Sequence, residues 1–245
     1  MNDILTICRA TLGRMLQIKS LYVLLLLGVI FIGTASLYGD LSAGREKELM
    51  IDTGYAMLTL VGFLSALVVV FDLARDMRQK LVQTLLTKPL GRDHYLLGKF
   101  LGVFLFMLIN TSLISFGLGV VLWFAKIWVG WGIMKILVLT IGAMAILIAM
   151  GIFLSTFLGE VPAAVGMLLF FALGNASQEF IARNTFGWLL YGLLPNFDIL
   201  NLKLELGHFF AVPWLFVWGG LVYSVLYTIF LLAMAVFVFR KRDIN

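Results

Sequence analysis

The sequence predicts an all-α integral membrane protein with six transmembrane helices, and three observations lead to that fold class. The chain has 245 residues, of which 62% are hydrophobic and only 13% are charged. A soluble domain carries about 25% charged and about 45–50% apolar residues, so much of this chain must be in contact with lipid. Its mean hydropathy is +1.05, and long stretches without charge recur between short basic loops.

Six stretches are apolar and long enough to cross a hydrocarbon layer of about 30 Å, which takes about 20 helical residues. They cover residues 20–39, 53–71, 100–125, 136–159, 161–178 and 206–239, and the last helix is expected to begin near Pro213. The uncharged stretch 184–197 is shorter, so we expect an interfacial or re-entrant helix in an extracytoplasmic loop at 176–212. The whole chain, 1–245, then forms one transmembrane domain.

The distribution of Lys and Arg predicts the orientation of these spans. Twelve of the 18 basic residues lie on one side of the predicted membrane and six on the other. The positive-inside bias assigns the more basic side, with both termini, to the cytoplasm. The basic residues are spread over several loops, which fits membrane orientation better than nucleic-acid binding.

Residues 1–19 precede the first span and are amphipathic. One face of the predicted helix carries Ile4, Leu5, Cys8, Leu12, Met15 and Leu16. Such a helix lies flat at the cytoplasmic interface with its apolar face among the acyl chains. It is either a simple anchor before the first span or an elbow helix of the kind that leads into many exporter domains.

The loop after the second span has a helical pattern over residues 76–88. Its apolar positions are spaced as on one helix face, and Asp76 precedes Lys80 by four residues, which is the favourable order for a helical ion pair. Pro89 and Gly91 then end the helix. The apolar positions are Met77, Leu81, Val82 and Leu85. This pattern predicts a cytoplasmic amphipathic helix that a partner protein could push, and the alternative is an ordinary basic loop.

Four short segments carry a resemblance to a known family. Residues 84–92 read TLLTKPLGR and residues 96–99 read LLGK, which together resemble the signature of six-span ABC exporter permeases. Asp76, Pro89, Arg92 and Lys99 stand at matching positions, whereas residues 80, 81 and 83 depart from the usual Gly, Thr and Glu. The chain end, 239–244 (FRKRDI), resembles the closing segment of the same permease family. Residues 194–198 (LPNFD) resemble an extracytoplasmic segment common among permeases linked to copper-enzyme maturation and gliding systems.

This resemblance implies a permease subunit in the plasma (inner) membrane of a prokaryote. ATP and Mg would be bound by a separate ABC ATPase subunit acting as a dimer, and the sequence contains no phosphate-binding loop of its own. The permease would pair with a second copy or with a sister permease, surrounded by membrane lipids. The implied ATPase-coupling residues are Asp76, Met77, Arg78, Leu81, Leu85, Pro89, Arg92 and Glu160.

Enzymatic function is not expected of this chain. The only histidines are His94 and His208, and Cys8 is the single cysteine. These residues and the carboxylates show no metal-ligand spacing and no activated nucleophile, so we predict neither a catalytic nor a metal site. The carboxylates of Asp72 and Asp76 are expected to be solvated in a charged loop.

Two other classes of function remain open, a secondary transporter or channel and a structural membrane anchor. Ion-coupled carriers usually place ionisable residues inside their spans, and no charged residue lies well inside a predicted span here. The sequence leaves several classes of substrate open, namely lipids, peptides, glycans, copper or sulfur species and drugs.

Polar residues inside the spans are the candidates for a substrate path. Asn110 and Ser115 lie in the third span, beside Thr111 and Ser112, and Tyr223 and Tyr227 lie in the last, beside Ser224 and Thr228. Hydrogen bonding between helices would explain these residues equally well. Gly98 and Gly102 form a small-x-x-x-small pair, which predicts a close contact between helices.

Overall fold

The computed structural model describes residues 2–17, 46–78, 92–124, 126, 131–175, 194–201 and 212–241, with the single positions 22, 26, 28, 30 and 34. These residues form α-helices and one short 3-10 helix, Asp198–Leu200, and none of them lies in a strand. The α-helices are α1 (Asn2–Leu16), α2 (Glu46–Arg78), α3 (Arg92–Phe124), α4 (Gly132–Ser155), α5 (Glu160–Asn175) and α6 (Trp214–Lys241).

Four of these helices, α2, α3, α4 and α6, are long and apolar enough to cross a membrane. They indicate an integral membrane protein. They overlap the predicted spans 53–71, 100–125, 136–159 and 206–239, and α6 begins next to Pro213 as predicted. Helix α5 has 16 residues, fewer than the approximately 20 of a typical span. Most of the predicted span 20–39 lies outside the described residues, so the number of six spans stays a prediction.

Helix α4 forms the centre of the described bundle. It packs against α2, α3, α5 and α6, and a continuous run of its residues from Ile146 to Ile152 is buried. The sequence of α4 is apolar on all sides, so the helix has no face that favours water and is suited to a central position. By contrast, most of the surface of α6 is not covered by other described residues.

The bundle has two ends that the side-chain contacts define. We call the end that contains Asp76, Arg92 and Arg240 the loop end, because residues 79–91 connect α2 to α3 there. The opposite end contains Phe124 and Trp131. At that opposite end the Lys135 amine donates a hydrogen bond to the Val212 carbonyl at 2.7 Å, so α4 and α6 both begin there.

Exposed tryptophans mark the opposite end. Trp123, Trp131, Trp214 and Trp218 are all well exposed and lie at the end of α3 or at the starts of α4 and α6. Tryptophan is enriched at membrane–water interfaces because its ring is apolar and its N–H is polar. The positions of these residues fit interfacial anchors at this end of the bundle.

Helix α1 packs against the first half of α3. A Cβ added to Gly98 would lie 2.7 Å from the Ile7 Cβ, and one added to Gly102 would lie 2.9 Å from the Cys8 carbonyl oxygen. The prediction that these glycines mark a close helix contact is therefore confirmed. Thr11 is buried at the centre of this contact, whereas Leu5 and Leu16 of the predicted apolar face are exposed.

The described part of the loop before α6 folds back onto the opposite end of the bundle. Phe197 and Leu200 are buried, and the Phe197 N–H donates to the Gly174 carbonyl at 3.3 Å. Residues 194–197 are not helical, and the remainder of the predicted interfacial helix, 184–193, lies outside the described residues.

Candidate functional site

Four charged side chains from three helices meet at the loop end. Arg14 comes from α1, Asp72 and Asp76 from α2, and Lys99 from α3. The two aspartates stand four residues apart, so their side chains lie on the same face of α2. We call this group the ion cluster (Arg14, Asp72, Asp76 and Lys99).

Both cations bridge both carboxylates. The Lys99 Nζ lies 2.6 Å from the Asp76 Oδ2 and also contacts Asp72. The Arg14 Nη1 lies 2.8 Å from the Asp72 Oδ1 and 3.1 Å from the Asp76 Oδ1. The Tyr95 hydroxyl donates a further hydrogen bond to the Asp76 Oδ2 at 2.7 Å. Each oxygen of Asp76 thus faces a donor from a neighbouring helix.

The ion cluster is formally neutral and mostly buried. The side chains of Lys99, Asp76 and Asp72 are 2%, 4% and 9% exposed, and that of Arg14 is 48% exposed. A buried charge is costly unless it is paired and hydrogen-bonded, so removal of one member leaves an uncompensated charge. Partial burial lowers the pKa of Arg14, but Asp72 and Asp76 raise it to a net value above the ordinary one. Arg14 therefore stays charged.

The expectation that Asp72 and Asp76 are solvated in a loop is wrong. Helix α2 continues to Arg78, so both aspartates lie in regular helix, and α1 and α3 cover the face that carries them. The sequence signal that could have indicated this is the i, i+4 spacing of two acids at the end of an apolar helix. Their partners Arg14 and Lys99 are 58 and 27 residues from Asp72, and no local pattern joins them.

The predicted coupling residues lie partly within the described chain. Asp76 belongs to the ion cluster, Met77 and Arg78 form the end of α2, and Arg92 begins α3. Glu160 begins α5 directly after the turn that follows α4. Leu81, Leu85 and Pro89 lie outside the described residues, as does most of the predicted helix 76–88.

A second ion pair joins the start of α3 to the end of α6 at the loop end. The Arg240 Nε lies 2.9 Å from the Asp93 Oδ1, and a second guanidinium nitrogen contacts the other carboxylate oxygen. The side chains are 63% and 34% exposed, so this pair is a surface contact of small energetic weight. It does place the end of α6 beside the helix that carries Lys99.

The substrate-path candidates occupy separate positions. Asn110 and Ser115 are buried on α3, and the Ser115 hydroxyl donates to the Thr111 carbonyl at 2.7 Å. The Tyr223 hydroxyl accepts a hydrogen bond from the Asn196 N–H at 3.0 Å, which holds the segment 194–201 on α6. The Tyr227 ring lies 5.9 Å from that of Tyr223. None of the four lines the apolar pocket between α3, α4 and α6.

Within the described ranges, no group of three or more His, Cys, Asp or Glu side chains is placed to hold a metal ion. The ion cluster has two carboxylates, but Lys99 and Arg14 already occupy their oxygens. Its arrangement joins three helices.

Comparison with known proteins identifies the family of this chain. The sequence model of the family described as "Protein of unknown function (DUF2705)" matches residues 31–245. No curated protein gives a significant match to the sequence. The chain belongs to the DUF2705 family.

Proposed function

We propose that this member of the DUF2705 family is the membrane-spanning permease subunit of an ATP-driven ABC exporter. The observation that carries the proposal is the ion cluster, which joins both helices that flank the loop 79–91 to the N-terminal helix. The resemblance noted in the sequence adds support, because Asp76 and Lys99 stand at the two ends of the motif. A loop that receives force from a partner needs such rigid attachment on both sides.

Force on the loop would reach the membrane helices through the ion cluster. Lys99 binds α3 to α2, and Arg14 binds α1 to the same carboxylates. These buried pairs would make the ends of α1, α2 and α3 move as one body when an ATPase subunit displaces residues 79–91. The Asp93–Arg240 pair would extend the movement to α6. Alternating access would follow from the relative movement of two such permease chains.

The partner in this proposal is a soluble ABC ATPase that binds ATP and Mg, and two of these would act together. The predicted apolar face of residues 76–88 would lie in a groove on its surface, a common mode of helix recognition. Glu160 begins α5 at the turn after α4 and would form a second, smaller contact. The permease would work with a second copy or with a sister permease.

Co-purification tests this docking helix. Leu81→Asp with Leu85→Asp would bury two carboxylates in the groove, and each unpaired buried charge costs at least several kcal/mol. Because about 1.4 kcal/mol changes affinity tenfold, recovery of the ATPase should fall more than about a hundredfold. The matched control is Gln83→Asp with Thr87→Asp, which adds the same charge to the opposite face of the predicted helix. Loss in both variants, or in neither, would contradict the proposed docking face.

The buried aspartates also favour a second candidate, a secondary transporter that uses them to carry protons. Ionisable residues buried in a membrane protein often mark an ion path, and Asp72 and Asp76 are buried. In vesicles with the ATP concentration held constant, an uncoupler should leave transport unchanged if the ABC proposal is correct. Loss of transport on collapse of the proton gradient would favour the ion-coupled carrier instead. A structural anchor would show no transport in either condition.

A further inference from the structure

Arg9 is an exposed cation on α1. Arg14, the next basic residue of α1, is bound to Asp72 and Asp76. Asp3 lies six residues before Arg9 and therefore on another side of the helix. Among the described residues, no carboxylate forms an ion pair with Arg9. The charge of Arg9 is thus available to an anion from outside the chain.

Two close contacts between α1 and α3 show the level at which Arg9 lies. A Cβ added to Gly98 would lie 2.7 Å from the Ile7 Cβ. One added to Gly102 would lie 2.7 Å from the Thr11 Cβ. Because both helices advance by four residues between these contacts, they run in the same direction here. Arg9 stands midway between Ile7 and Thr11, so it lies level with residues 98–102 of α3.

This level is the headgroup layer at the loop end of the bundle. Residues 98–102 are about 32–38 Å from Trp123 along α3, at 1.5 Å per residue. Trp123 is 75% exposed and marks the interface at the opposite end. The hydrocarbon layer is about 30 Å thick. Arg9 therefore lies just beyond its loop-end boundary, at the depth of lipid phosphates.

A row of exposed apolar side chains leads from Arg9 into the membrane. Leu16 lies two helical turns after Arg9 on the same side of α1 and is exposed. The Tyr22 hydroxyl donates to the Leu16 carbonyl at 2.7 Å. Tyr22, Leu26 and Ile30 follow one another every four residues, so they share one helix side, and they are 49%, 62% and 50% exposed. We call this row the apolar track (Leu16, Tyr22, Leu26 and Ile30).

The apolar track ends near the middle of the membrane. Gly28 lies beside the end of the track and is buried, and a Cβ added to it would lie 3.9 Å from the Ile114 Cδ1. Ile114 is about 14 Å from Trp123 along α3, close to half of the hydrocarbon thickness of about 30 Å. The track thus covers the depth of one leaflet, which is the depth that one acyl chain occupies.

We propose that Arg9 and the apolar track bind one anionic phospholipid of the leaflet at the loop end. Its phosphate contacts the Arg9 guanidinium, whose fork of N–H donors matches phosphate oxygens, and one acyl chain lies along the track. A zwitterionic lipid has the same phosphate, but its ammonium group would lie beside Arg9 with no carboxylate of the described chain to pair with. One basic residue at this depth favours an anionic lipid about fivefold.

Two photoreactive lipids test this site, a phosphatidylglycerol and a phosphatidylcholine that carry the same diazirine on one acyl chain. Each is added at equal content to phosphatidylcholine nanodiscs that hold the purified full chain, which is then illuminated and digested with trypsin. The peptide 20–45 contains three residues of the apolar track. The phosphatidylglycerol probe should label this peptide about fivefold more than the phosphatidylcholine probe does.

The peptide 136–183 provides the reference within the same digest. It contains α5, which exposes apolar side chains to lipid but has no basic residue. The two probes should label it equally, because contact with its surface requires no charge on the lipid.

Three variants separate Arg9 from the general charge of the loop end. Arg9→Gln should abolish the preference for the phosphatidylglycerol probe, and Arg9→Lys, which keeps the charge, should retain most of it. Arg75→Gln is the matched control and should keep the preference, because Arg75 is also exposed at the loop end but belongs to α2. An unchanged unfolding transition of Arg9→Gln shows that the variant folds, as expected for an exposed side chain.

Two results would overturn the proposal. Equal labelling of the peptide 20–45 by both probes in the unaltered chain would show a surface that accepts any lipid. An equal loss of preference in Arg9→Gln and Arg75→Gln would show a general attraction to the basic end of the bundle instead of a site at Arg9. The lipid experiment involves no ATPase, so its failure is distinguishable from failure of the proposed function.

Discussion

Lys99 and Asp76 form a direct ion pair between the two helices that flank residues 79–91, with 2.6 Å between the Lys99 Nζ and the Asp76 Oδ2. Both side chains are almost fully buried. The pair fixes the end of α2 to the start of α3, so residues 79–91 are attached at both sides to one rigid unit. The stability of this unit can be measured without knowledge of the substrate or the partner.

Replacement of Lys99 by Met should strongly destabilise the protein. The variant leaves Asp72 and Asp76 buried with only the half-exposed Arg14 as a cation, and breaking a buried pair in this way costs about 3–5 kcal/mol. The double variant Lys99→Met with Asp76→Asn should recover most of this loss, because one carboxylate then remains opposite Arg14. Unfolding of the purified chain by heat or by SDS titration measures both effects.

A matched control for burial is Arg240→Gln, which breaks an ion pair of similar geometry that is largely exposed. It should leave the unfolding transition unchanged, since exposed pairs contribute little. If Lys99→Met unfolded no more readily than Arg240→Gln, the ion cluster would not be the buried unit described above.

Replacement of both Gly98 and Gly102 by Ala should displace α1 from α3. The added Cβ atoms would lie 2.7 Å from the Cβ atoms of Ile7 and Thr11 and close to two backbone carbonyls of α1. Overpacking of this kind costs about 1–3 kcal/mol. The unfolding transition measures the loss.

Gly119→Ala on the same helix provides the control, because its Cβ would meet open space. Alanine is favoured over glycine in a helix by about 1 kcal/mol, so this variant should be neutral or slightly more stable. Equal behaviour of the Gly98/Gly102 and Gly119 variants would argue against a close contact between α1 and α3.

Cys8 should react slowly with N-ethylmaleimide in the folded protein. Cys8 packs against α3 and is only 6% exposed. Burial also raises the pKa of its thiol, so less of the reactive thiolate is present near neutral pH. Labelling should become fast in SDS. The comparison is Ala10→Cys in a Cys8→Ala background, since Ala10 is exposed on the same helix. Similar rates for the two cysteines in the native state would mean that α1 does not pack as described.

The long apolar helices were predictable because the bilayer requires about 20 apolar residues in a row, a constraint that composition alone reveals. The start of α6 after Pro213 and the close contact at Gly98 and Gly102 follow from equally local patterns. Each of these features depends on one segment of chain and its immediate neighbours. No tertiary information is needed to see them.

The ion cluster was not predictable in the same way. Counting charges between spans assigns Asp72 and Asp76 to solvent, because the count does not consider which face of the helix carries them or what covers it. Arg14 and Lys99 reach these aspartates only after three helices have packed.

Cysteine labelling tests the orientation of the spans, and the helices give the relative positions of the probes. Helix α2 has 33 residues and is about 50 Å long, more than the hydrocarbon layer of about 30 Å, so its two ends lie on different sides of the membrane if it crosses fully. Arg75 lies at the loop end of α2, and Lys241 lies beside Arg240, which contacts Asp93 at the same end. Trp131 lies at the opposite end.

In a Cys8→Ala background, Arg75→Cys and Lys241→Cys should react with a membrane-impermeant maleimide only after the cells are permeabilised, and Trp131→Cys should react in intact cells. The physical reason is the positive-inside bias, which retains the basic loop-end segments in the cytoplasm. Wild-type abundance in the membrane fraction shows that each variant inserts. Labelling of Arg75→Cys and Trp131→Cys from one side would contradict a full crossing by α3. Exact reversal of the pattern would keep the crossing but place the loop end outside, where a cytoplasmic ATPase could not reach residues 79–91, and the proposed function would then fail.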